Sequence, residues 1–147
     1  MTKPALVLAI VATAALVRAD GPAAATYKRE AELLAALQAS AANADMLTAE
    51  VQNTASHRIN IVRRTKAAGA VAHEGFAELH HIIEGSGTLV TGGTILRGEI
   101  QNGASRRVSK GDVILVAPGM PHWYKDLDGT ITYLEVRWAE TSAPANR

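Results

Sequence analysis

The sequence predicts an all-β domain, a closed barrel or sandwich. Two observations carry the expectation. Short runs rich in valine, isoleucine and threonine are separated by turn signals about every eight to twelve residues, as in sandwiches and barrels. The chain's 12 glycines fall mostly in its second half, where tight turns between such runs need them. At 147 residues there is room for one domain with extensions.

Taken in order, residues 1–19 read as a secretory signal peptide: Lys3 gives the positive start, Ala5–Val17 is an apolar run, and Val17-Arg18-Ala19 offers small residues near a cleavage point. The apolar run is short for a membrane span, so an uncleaved anchor is the secondary reading. Loss of Lys3 and Arg18 with the leader turns the formal charge of +1 into −1. The mature protein is then expected to be exported, periplasmic or secreted, with no stable membrane span. Residues 20–56 form a linker with a short N-terminal helix, expected over 27–42 from the spacing of Leu33, Leu34, Leu37 and Ala41. Residues 43–56 are transitional and match no periodic pattern.

The barrel is expected over 57–138, followed by a polar tail over 139–147. Arg58–Arg63 alternates as a strand. Val71–His73 is a short strand, and Glu74-Gly75 bends the chain. Glu78–Ile83 follows, ended by Gly85-Ser86-Gly87, and then Thr88–Thr91. Arg97–Ser105 is a polar excursion. Val113–Val116 is an apolar strand. Pro118-Gly119 and Pro121 bend the chain before His122, Asp128-Gly129 is a hairpin turn, and Thr130–Trp138 is the last strand. On it Ile131, Tyr133, Glu135 and Arg137 share one face.

Composition narrows function. Fifteen basic and 14 acidic residues nearly cancel and form no basic stripe, which argues against nucleic-acid binding. With no cysteine, any metal must be held by imidazole and carboxylate. Four of the five histidines sit at the two ends of 72–122. Strand alternation puts Glu78, His80 and Ile82 on one face and His81 on the other. His73 is brought close to Glu78 by the intervening bend, and a closed barrel brings His122 opposite. Two imidazoles and a carboxylate with open positions suit Fe, Mn, Ni or Zn as a divalent ion. The packing alternative is weakest for His122, which follows Gly-Met-Pro, and an interior carboxylate at 78 needs a cation or hydrogen bonds. His57 and His81 read as surface or structural residues, and Arg63 and Arg64 as strand charges that face opposite ways.

These residues resemble the cupins, small jelly-roll β-barrels. Their first motif runs H-x-H, three or four residues, E, six residues, G. Here His73, Glu78 and Gly85 fit, with four and six residues between them. Their second motif runs G, five residues, P-x-G, two residues, H, three residues, N. Gly111, Gly119 and His122 fit, while Ala117 takes the proline position beside Pro118 and Asp126 takes the asparagine position. Val71 stands where most metal-binding cupins have their first histidine. The resemblance implies a metal site of His73, Glu78 and His122, with water or His80 as a fourth ligand; a metal-free barrel holding an organic ligand is the other outcome. It further implies a metal-dependent enzyme acting on a small organic molecule, as an isomerase, lyase or dioxygenase, with His80 or Tyr124 moving a proton. A non-catalytic small-ligand-binding protein with a degenerate metal site is the alternative. A homodimer is implied by resemblance alone.

Overall fold

The computed structural model describes residues 25–40 and 45–140. The leader expected over 1–19 and the tail beyond residue 140 lie outside these. Among the described residues no helix is long and apolar enough to cross a membrane.

One helix, α1 (Glu30–Ala39), precedes eight strands: β1 (Met46–Asn53), β2 (His57–Arg64), β3 (Phe76–Thr91), β4 (Thr94–Leu96), β5 (Glu99–Gln101), β6 (Ala104–Ser109), β7 (Val113–Val116) and β8 (His122–Ala139). The helix is shorter than the expected 27–42. Its N-cap is Arg29, whose backbone N–H and Nε–H both donate to the Glu32 carboxylate, at 2.8 and 3.3 Å. Only Leu37 on it is buried. The unassigned segment after it holds β1, whose burial does not follow a strict alternation; that irregularity hid it in the sequence.

The main sheet is antiparallel, ordered β1-β2-β8-β3-β6, with β7 on the other half of β3. Two long strands organise it. β3 does not end at Gly85-Ser86-Gly87, and β8 is not divided by a hairpin at Asp128-Gly129. Both run on through this point together. Gly85 pairs with Ile131 and Gly87 with Leu127, so residues 128–130 bulge out opposite Ser86. Gly85 has φ +81°, and a Cβ there would meet the Thr130 carbonyl oxygen at 2.0 Å, so only glycine fits. Ser86 Oγ donates to Asp128 at 2.6 Å, and Arg107 pairs with the same carboxylate. The bend folds each strand on itself, so Tyr124 and Tyr133 of β8 stack with ring centroids 5.3 Å apart.

The sheet therefore curls into a barrel-like shape around Val62, Ile82, Leu89, Val108 and Ile131, all at most 2% exposed. Each such side chain contributes roughly 1.5–3 kcal/mol through its removal from water. The expected strand at 71–73 is reduced to a single bridge between Val71 and His122. The 97–105 stretch forms most of a β4–β5 hairpin, turned by Arg97 and Gly98 in the left-handed region, before leading into β6.

Candidate metal centre

Register builds the site. On β3 the pleat buries Glu78, His80 and Ile82, and leaves His81 and Ile83 exposed. Across the sheet, Arg58, Arg137, Glu78 and Val116 form one row; Asn60, Glu135, His80 and Ile114 form the next; Val62, Tyr133 and Ile82 form a third. Each row crosses β2, β8 and β3. His122 opens β8 opposite Thr91. His73 lies on no strand. It is carried to the site because Val71 and His122 exchange backbone hydrogen bonds of 3.1 and 2.9 Å, and Gly119 N–H donates to the His73 carbonyl at 3.0 Å. The two rings end with centroids 5.6 Å apart.

Glu78 is the hub, with its side chain 2% exposed. Oε1 lies 3.4 Å from His73 Nε2 and 3.2 Å from Arg137 Nε. Oε2 lies 3.2 Å from His80 Nε2 and 3.7 Å from His122 Nε2. Burial alone would raise the Glu78 carboxyl; the His80 hydrogen bond and the charges of His122, Arg137 and His73 outweigh it and hold it down to about 2. The group is a carboxylate at neutral pH. Burial lowers His73 and His122 below the ordinary imidazole value, so both are neutral there and have a lone pair to give. The Met120 carbonyl, 3.0 Å from His122 Nδ1, accepts its ring N–H and leaves Nε2 as the free donor atom toward Glu78.

The donor set fits a divalent ion. Ligand atoms of His73, Glu78 and His122 lie within 4.8 Å of one another, a spread that bonds of about 2.1 Å satisfy with slight contraction. Glu78 Oε1 is buried yet makes no aligned hydrogen bond, despite its ion-pair distance to Arg137. A buried carboxylate oxygen left so is costly in the bare protein and suited to a cation.

A second cluster, Glu78, His80 and Glu135, is fully buried and equally tight. Its charges are already answered. Arg137 spans Glu78 and Glu135, at 3.2 and 3.6 Å, and Asn60 Nδ2 donates to Glu135 at 3.1 Å. His80 is held at both ring nitrogens, by Tyr124 Oη at 3.1 Å on Nδ1 and by Glu78 on Nε2. With Glu78 ionised, the partners select the tautomer protonated at Nε2, with Tyr124 donating to Nδ1.

Tyr124, expected as a candidate base, lies in the core behind His80 and is 2% exposed. Burial drives its phenol far above the ordinary value; Tyr133, under the same influence, is pushed up to about 12. Neither His57, bonded among Thr54, Ser56 and Gln52, nor exposed His81 joins the site. Arg63 turns outward to Thr132 and Glu84, while Arg64 turns to Tyr133 Oη at 3.0 Å.

The cluster lines a cavity of about 260 Å³. Its walls include residues the histidine pattern did not single out: Arg58, Asn60 and Arg64 on β2, Tyr133, Glu135 and Arg137 on β8, and Met46 and Thr48 on β1. Strand alternation on β2 and β8 contained the signal, since each set is spaced by two.

Residues 64–140, just over half of the chain, match the family model described as the AraC-like ligand binding domain. No curated protein matches the chain by sequence. Among solved structures, the cupin domain of Schizosaccharomyces pombe Cnp3 is 12% identical with a TM-score of 0.56, over 71% of this chain and 72% of that one. A putative mannose-6-phosphate isomerase from Ralstonia eutropha JMP134 is 14% identical with a TM-score of 0.55, over 67% and 89%. The iron(II) form of HppE is 14% identical with a TM-score of 0.55, over 64% of this chain and 51% of that one, so the chain spans about half of its length.

Proposed function

The chain belongs to the family of AraC-like ligand binding domains, which have the cupin fold, and from that premise we propose that it is a metal-dependent enzyme acting on a small organic molecule, of isomerase, lyase or dioxygenase type. One observation carries the reading: a buried, ionised Glu78 faces the neutral imidazoles of His73 and His122 with one oxygen lacking an aligned hydrogen bond. His73, Glu78 and His122 hold the ion, which when bound supplies Lewis acidity toward a carbonyl, carboxylate or enolate oxygen. His80 lines the same cavity and carries an exchangeable proton. In this reading it is the proton-transfer group, held in place by Tyr124. Relatives of similar fold include an iron(II) protein and a putative isomerase, which supports the class without naming a substrate.

Measurement of metal in the purified protein tests this. About one Fe, Mn, Ni or Zn ion per chain is expected, lost in His122→Ala. A protein that takes up none of these metals even when each is supplied in excess overturns the reading.

A non-catalytic ligand-binding role is the second reading, favoured by Val71 at the usual first-histidine position and by the family's description as a ligand-binding domain. It predicts small-molecule binding that survives removal of the metal. We further place the protein outside the cytoplasm, on the leader-like composition of residues 1–19, and as a homodimer. Val113 and Leu115, 63% and 66% exposed on the edge strand β7, support the pairing. A mature N-terminus still at Met1 in a cytosolic fraction ends the export claim.

A further inference from the structure

The cavity beside the candidate metal centre has a charge that the centre does not explain. Arg58, Arg64 and Arg137 line it, against only Glu78 and Glu135. Arg137 is matched to both carboxylates. Arg64 is half-buried and spends its Nε on the neutral Tyr133 hydroxyl, with its guanidinium carbon 5.3 Å from the centre of the Tyr124 ring. Among the described residues it has no carboxylate partner, and neither has Arg58. In addition, Arg58 and Arg137 stand directly opposite each other on β2 and β8. Like charges in that relation are destabilising. The arrangement is tolerable where an anion comes between or beside them.

We infer that the cavity binds a small organic oxyanion, a carboxylate or a phosphate ester, held by Arg58 and Arg64 with Arg137 anchored behind them. The inference rests on the proposed metal site only for the added positive charge: three guanidinium groups against two carboxylates leave the lining positive before any ion is bound, and more so after. Guanidinium matches carboxylate and phosphate oxygens two at a time. The volume, about 260 Å³, is a little below the ~300–1,000 Å³ of ordinary ligand pockets, which suits a small ligand. Neutral sugars do not answer the charge.

Calorimetric titration of the purified full chain with malonate, inorganic phosphate and glucose tests this, each sample's metal content being measured in parallel. Malonate or phosphate is expected to bind, more weakly as salt rises, and glucose not to bind. Arg58→Gln, at an exposed position, is expected to weaken anion binding about tenfold or more with unchanged metal content and unchanged melting temperature. Arg64→Gln serves as the second variant and is expected to act in the same direction. Binding of glucose in preference to both anions overturns the inference, as does anion binding untouched by both substitutions. A chain without metal that still binds malonate through Arg58 removes the proposed function and leaves this inference standing; a metal-loaded chain that binds neither anion does the reverse.

Discussion

Glu78 has two sides, and they are built differently. Toward His73 and His122 it faces Nε2 atoms at 3.4 and 3.7 Å, the first carried by a loop residue with a side chain 30% exposed. Toward His80 and Glu135 every neighbour is buried and engaged by hydrogen bonds or Arg137. One carboxylate thus joins a more open half to a closed, hydrogen-bonded one. The closed half fixes where the carboxylate points, and the open half takes advantage of that rigidity.

Substitutions on the two sides should separate accordingly. The largest effect is expected from His80→Ala, which strands the Tyr124 hydroxyl and a Glu78 oxygen inside the protein. Urea denaturation should show a loss of about 2–4 kcal/mol with bound metal retained. His73→Ala is the mirror case: stability within about 1 kcal/mol of the parent, and metal affinity reduced by a factor of about ten to a hundred, the scale of effect known for disturbing even the outer partners of metal ligands. Metal lost from the first variant and kept by the second would invert the comparison and make His80 the ligand.

Acid should act on both sides in sequence. His73 and His122 have lowered values in the folded chain, so their unfolded counterparts take up protons first. The metal-free protein should hold full stability above about pH 6.5 and lose it as pH falls below that value. Glu78, held at about 2 against 4.5, contributes above pH 4.5 and loses its contribution as pH falls toward 2. Melting temperatures recorded from pH 8 to 3 check this; a flat profile between 7 and 5 would mean the two imidazoles are as solvated as in a free peptide. The smallest effect is expected from Val71→His. Val71 is 37% exposed and lines the cavity mouth, so an imidazole there should add a ligand to the open side and tighten metal binding several-fold with little change in stability.

Much of this architecture was legible before the structure. Alternation on Glu78–Ile83 gave the inward face, and the spacing of His73, Glu78, Gly85, Gly111, Gly119 and His122 gave the family resemblance. Two kinds of information were not local enough to read. Glycine signals at Gly85-Ser86-Gly87 and Asp128-Gly129 look like chain reversals, because positive φ marks turns and bulges alike. Only the pairing of β3 with β8 shows that both glycine sites form one shared bend. The arginines and acids of β2 and β8 were visible as a spacing of two, but which face they shared with Glu78 depended on register across strands distant in sequence. Tyr124 looked available because it shares a strand face with His122; that face is interior at both positions, and at 124 it lies in the core behind His80.

The Val71–His122 bridge has a bearing on exchange. His73 reaches its position through a short span of irregular backbone, fastened by that bridge, by Trp123 Nε1 donating to the Ala68 carbonyl at 2.5 Å, and by Ala70 N–H donating to the Gly98 carbonyl at 2.7 Å. Net, such bonds amount to about 1 kcal/mol apiece. Peeling this strap away withdraws a single imidazole while the barrel wall stays whole. Under the proposed metal-binding role, exchange at the centre would then be governed by opening of this loop and not by unfolding of the barrel.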